Sequence, residues 1–171
     1  MKRFARNVVL GAVAGAAGTL AMDLFLYRRY RIEGGTDAVW PWESAEGVTS
    51  WDEASAPGQV GRKVERLVTR QEPPDSWARA TTNLVHWATG VGWAAQYGAL
   101  ASRTSRHPLV RVLALGPVVW LSGYVLLPLA KVYKPIWQYD ARTLGKDLSA
   151  HLVYGATTGA AFAALGRGGR R

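Results

Sequence analysis

The chain has 171 residues, 21 Lys and Arg against 12 Asp and Glu, a net charge of +9 and no cysteine. That length is expected to hold a single domain with no second, enzymatic one, and the missing thiols exclude disulfides, thiolate metal sites and cysteine nucleophiles. The excess of positive charge does not describe a nucleic-acid surface, because the basic residues gather at the ends of apolar runs and not on one polar face.

Four runs lack Asp, Glu, Lys and Arg: Asn7–Met22, carried past Asp23 by Leu24–Tyr27, then Ala80–Ser102, Val112–Ala130 and Leu148–Gly166. A bilayer core takes about 20 mostly apolar residues per helix, which each run approaches. The mean hydropathy of −0.04 conceals this by averaging the runs with a polar segment, Arg28–Arg79. The expected fold is therefore all-α: one integral membrane domain, a bundle of four transmembrane helices at about 7–27, 80–102, 110–130 and 147–166. An amphipathic surface helix is expected in an outer loop of about 31–78.

In the first run, Gly11, Gly15 and Gly18 have the small-residue spacing that lets membrane helices pack closely. A cleaved signal peptide is the alternative, with Lys2, Arg3 and Arg6 as its charged region and Val8–Ala21 as its apolar one. Continuation through Leu24, Phe25 and Leu26 favours a retained span. It ends in an aromatic and basic collar, Tyr27–Arg31. A turn at Gly34 and Gly35 leads to Trp40, Pro41, Trp42, Glu43 and Trp51, which read as an ordered cap at headgroup level or, alternatively, as a loose polar loop. After Pro57 and Gly58, the segment Gln59–Arg70 carries Val60, Val64, Leu67 and Val68 on one helical face. This helix is expected on the outer membrane surface or against the span ends.

The second run opens behind Trp77 and is polar for a span, with Thr81, Thr82, Asn83, His86, Thr89 and Gln96. It belongs inside a bundle, with small residues such as Gly90 against a neighbour. The third run is the most apolar, and Pro117 and Pro128 are kink candidates. It is expected to show the most surface to lipid. A second aromatic cap, Lys131–Asp140, precedes the last run, where Asp147, His151, Gly155 and Gly159 repeat every four residues on one face. His86 and Gly90 echo that spacing.

Charge sorting sets the orientation. Nine basic residues and no acid flank the runs at Lys2, Arg3 and Arg6, at Arg103, Arg106 and Arg111, and at Arg167, Arg170 and Arg171, whereas eleven of the twelve acids lie in the other two connections. The positive-inside rule places both termini and the middle connection in the cytoplasm. His107 on that connection reads as a solvated loop residue. Arg outnumbers Lys sixteen to five, with abundant Ala and Gly, a composition expected of a GC-rich bacterial genome, so the membrane expected for the spans is a bacterial plasma membrane.

Counted at about 1.5 Å per residue, Asp23, His86 and His151 lie about 7 to 10 Å below the outer helix ends. Asn83 and Asp147 stand one turn above the two histidines. Ionisable groups at such depth are candidate functional residues by default. Three roles fit: a proton or substrate site, a divalent metal held by Asp23, His86 and His151, or a structural hydrogen-bond cluster. A catalytic triad is not implied, and no cofactor is expected.

The glycine-rich first run, Ala56–Val60, NLVHWATG at 83–90, YKPIWQYD at 133–140 and KDLSAHLVYG at 146–155 together resemble a group of small four-helix actinobacterial membrane proteins. The histidine-bearing spans are also similar to the YagU-like inner-membrane proteins. The resemblance implies the architecture and no activity. The expected function is that of a structural or accessory membrane protein, more a binder than an enzyme, whose partners are the bilayer and a membrane protein or a second copy. The alternative is an oligomeric transporter or proton-coupled permease using the polar pocket.

Overall fold

The computed structural model describes residues 2–101 and 108–168, with side chains described outside 108–113 and 168. The described residues form six α-helices and no strands: α1 (Lys2–Ile32), α2 (Val39–Glu43), α3 (Ala56–Thr69), α4 (Ala78–Ala101), α5 (Pro108–Leu129) and α6 (Ala141–Gly168). Short 3-10 turns at Asp75–Trp77 and Ile136–Gln138 precede α4 and α6. The expected basic residues Arg103, Arg106, Arg170 and Arg171, and His107, lie outside the described residues, as does the side chain of Arg111.

The all-helical class is thus shown. Two helices among the described residues are long and apolar enough to cross a membrane, Lys2–Ile32 and Ala141–Arg167; Ala114–Leu129 is a shorter apolar stretch. The polar side chains noted above make α4 too mixed to join them. α5 runs unbroken through Pro117.

The chain divides into two compact units. The first contains residues 1–26, 89–123 and 140–171. Its buried stripe on α1 is Gly11, Ala14, Gly15, Gly18, Thr19 and Asp23, at the three- and four-residue steps of one helical face. The opposite face of α1 exposes Val9, Val13, Leu20 and Leu24. The same inversion holds on α6, where Ala150, Gly155, Thr158 and Gly159 are buried while Leu152 and Leu165 are exposed. On the part of α5 in this unit, Leu115 and Gly116 are buried and Val118 and Leu121 are exposed. A water-soluble helix puts its large aliphatics inward and its polar groups outward. Here, Leu115 and Tyr154 apart, the buried positions are Gly, Ala, Thr and Asp23, and most of the large aliphatics are outside.

Small residues permit the approach. A methyl group at Gly11 would overlap the Ala94 carbonyl oxygen on α4, and one at Gly155 would meet the Gly116 backbone, 2.9 Å from its Cα, on α5. The helix backbones are therefore nearly in contact, so dispersion and not aliphatic burial holds them. Asp140 caps α6, accepting from the Thr143 N–H at 2.9 Å and the Thr143 hydroxyl at 2.7 Å. Those two bonds, the hydroxyl first, hold its carboxyl below the usual value.

The second unit contains residues 27–88 and 124–139. Its centre is Trp51, 1% exposed, packed with Ala54, Ala78 and Val48. The indole N–H donates to the Pro73 carbonyl at 2.8 Å, the Trp51 N–H donates to Asp75 at 3.1 Å, and the Gln59 amide donates to the Trp51 carbonyl. Every polar group brought inside with the ring thus has a partner, which makes burial of a large aromatic favourable here. Two residues after Trp51, Glu53 accepts from the Thr49 N–H at 2.7 Å, the Thr49 hydroxyl at 2.8 Å and the Ser50 N–H at 3.1 Å. These bonds, the Thr49 backbone first, lower its pKa.

α3 begins at Ala56, earlier than the apolar pattern suggested, with Pro57 in its first turn. Its contact with α4 is made by two buried glycines: methyls there would strike Thr82 from Gly58 and Thr81 from Gly61. Thr81 donates to Glu65 at 3.0 Å. The apolar residues Val64, Leu67 and Val68 are exposed. Tyr27, Tyr30 and Trp42 form an aromatic cluster with centroids 5.5 to 6.2 Å apart, and the Tyr30 hydroxyl donates to Asp37 at 2.6 Å.

Candidate functional site

The five polar residues singled out in the sequence divide between the units: Asp23, Asp147 and His151 belong to the first, Asn83 and His86 to the second. In the first unit, α6 brings Asp147 and His151 together, because a four-residue step returns to the same face. His151 Nδ1 lies 3.0 Å from the Asp147 carbonyl oxygen and 3.4 Å from its carboxylate. The imidazole is thereby turned back along its own helix. Asp23 sits on the buried stripe of α1 with 4% exposure, one turn beyond Thr19, which is fully buried.

In the second unit, Asn83 serves the connection between α1 and α4. Its amide donates to the Ser44 carbonyl at 2.9 Å and to the Arg79 carbonyl of its own helix at 2.9 Å. Arg79 reaches the same Ser44 carbonyl at 3.0 Å and the Ser44 hydroxyl at 2.9 Å. His86 is half-buried, its ring edge-on to Trp87 at 6.4 Å. Among the described residues no three His, Asp or Glu side chains gather as a metal ion would require.

The predicted packing glycines have definite neighbours within the first unit. Gly15 and Gly90 face each other across α1 and α4, a methyl at Gly15 lying 3.0 Å from the Gly90 carbonyl oxygen, while one at Gly90 would strike Thr19. Gly18 faces Thr158 and Tyr154 of α6. Gly11 and Gly155 make the contacts described above, and Gly159 is buried. Tyr154, 1% exposed, adds a directed bond: its hydroxyl donates to the Gly90 carbonyl at 2.6 Å and ties α6 to α4.

Sequence reasoning passed over Tyr154 and Gly116 as contact residues. A signal for both existed, since Tyr154 precedes Gly155 on the small-residue face of α6 and Gly116 interrupts an otherwise bulky run. A cleft of about 370 Å³ in the second unit is lined by Asp37, Pro41, Trp42, Glu46, Gly47 and Val48, with Ala45. No family model matches the chain, and neither a curated protein nor a solved structure matches it.

Proposed function

We propose that the protein is an integral plasma-membrane protein of one domain whose α1, α4, α5 and α6 cross a single bilayer, with both termini and the α4–α5 connection in the cytoplasm. Its function is structural or accessory: it binds a lipid or a membrane-protein partner. The observation that supports the membrane reading is the inverted packing of the first unit, with mostly Gly, Ala and Thr inside, Leu115 and Tyr154 being the large exceptions, and exposed Val and Leu on the outer faces. Water would penalise those exposed side chains by about 25 cal/mol per Å², a cost hydrocarbon removes. The sorted charges supply the orientation, and α4, the most polar of the four, is assigned to the bundle interior. The accessory reading is supported by the bonds of the polar residues: Asn83 holds Ser44 and Arg79, and His151 turns to Asp147 of its own helix. These are architectural contacts.

Because the chain lacks cysteine, single-cysteine variants report topology directly. Asp52→Cys in intact cells is expected to react with a membrane-impermeant maleimide, and Arg6→Cys only after lysis. The reverse pattern, or recovery of the chain from the soluble fraction without detergent, overturns the reading.

Asp23 favours a second reading. A carboxyl 4% exposed within an apolar helix is costly, and transporters place such groups on ion pathways. An oligomeric permease would use it as a proton-binding group. Proton flux in proteoliposomes that disappears in a folded Asp23→Asn variant would establish this reading over the accessory one.

A further inference from the structure

α3 has three chemically different faces. One packs on α4 through Gly58 and Gly61, with Glu65 bonded to Thr81. Beside it runs an apolar arc, Val64, Leu67 and Val68, exposed by 53%, 80% and 77%. At about 100° per residue these three fall within roughly one third of the circumference. Lys63 borders that arc on the side away from α4, and Arg70 follows the arc directly as the left-handed cap that ends the helix. Arg62 and Arg66 are engaged elsewhere, with Glu72 at 2.6 and 3.0 Å. A helix held so firmly by its glycine face, yet leaving its apolar face open, has a further surface to meet.

We propose that this arc lies in the outer headgroup layer of the same bilayer that the spans cross, its aliphatic tips at the acyl boundary and Lys63 and Arg70 on lipid phosphates. The inference rests on the membrane reading above. Three features select lipid over a protein. Three aliphatic side chains offer roughly 200–350 Å² at about 25 cal/mol per Å², well below the roughly 800 Å² per partner of a stable protein interface. The cationic border beside an apolar arc is the pattern of helices that lie in the interface plane. Trp77 and Trp137 of the same unit are exposed by 52% and 80%, as indoles at a headgroup boundary are. Packing on α4 keeps α3 at the membrane surface, so a weak affinity for lipid suffices.

The test uses the full chain in vesicles of phosphatidylcholine with phosphatidylglycerol, spin-labelled at one cysteine: Leu67→Cys, Val68→Cys, Arg66→Cys or Leu121→Cys. Accessibility to oxygen, which concentrates in lipid, is compared with accessibility to a water-soluble nickel chelate. Positions 67 and 68 are expected to favour oxygen by several-fold over position 66. Replacing Lys63 and Arg70 together by Gln is expected to lower the position 67 signal in anionic vesicles to its level in pure phosphatidylcholine. Water-like labels at 67 and 68 overturn the inference, and so does shielding from both probes, which would mean that a protein partner or second copy covers the arc. An unchanged anionic-lipid dependence overturns the phosphate contact. Lipid exposure at Leu121 separates the two failures: if 121 is lipid-like and 67 water-like, the spans stand and this surface fails, whereas water at 121 removes both.

Discussion

Gly92 and Gly98 sit six residues apart on α4, and replacing each by Ala isolates what close backbone approach contributes. In a helix interior the exchange gains up to about 1 kcal/mol in propensity at either position, so that gain cancels in the comparison. At Gly92 the added methyl meets nothing within 4 Å. At Gly98 it overlaps the Asn7 carbonyl oxygen and lies 3.0 Å from the carbonyl carbon and 3.2 Å from Gly11 Cα, all backbone of α1. Carbon contacts are optimal at about 3.5–4.0 Å, so α1 and α4 must separate and loosen the neighbouring Gly11–Ala94 contact. Overpacking of this kind costs about 1–3 kcal/mol. Gly98→Ala is therefore expected to be less stable than Gly92→Ala by that amount, read as the midpoint of SDS-induced unfolding in mixed micelles followed by circular dichroism. Equal midpoints, or a more stable Gly98→Ala, would refute the argument that α1 and α4 are held by backbone proximity.

Tyr154→Phe removes the hydroxyl that donates to the Gly90 carbonyl and is expected to cost about 0.5–1.5 kcal/mol in the same assay; no change would mean that packing alone joins α6 to α4. For Glu53 the sign follows from its lowered folded pKa: the turn at Thr49 and Ser50 is fully supported above the ordinary value of 4.5 and loses support as pH falls through the folded value. Protease cleavage of the connection before α3 is expected to rise over that acidic window in the wild type, and Glu53→Gln to flatten the response.

Sequence alone made the helices readable because desolvation and periodicity act over long windows: each charge-free run coincides with one long helix, the third ending at Ala130, one residue past α5, and the second at Ser102, outside the described residues. What it could not resolve was which face meets which partner. On α3 the valines and Leu67 marked an apolar arc, but Gly58 and Gly61 make the contact, since a residue without a side chain leaves no hydrophobic signature. Trp51 read as an interfacial indole beside acids, and the same local sequence buries it once the Pro73 carbonyl takes its N–H. The four-residue step from Asp147 to His151 was legible because it lies within one helix, whereas the bond from Tyr154 to Gly90 spans 64 positions and has no local trace.

The Ser44 carbonyl accepts from both Arg79 and Asn83, one turn apart at the start of α4. Two grips on one oxygen act as a crank: if α4 rolls about its long axis, the chain at Ser44, just after α2, has to swing with it.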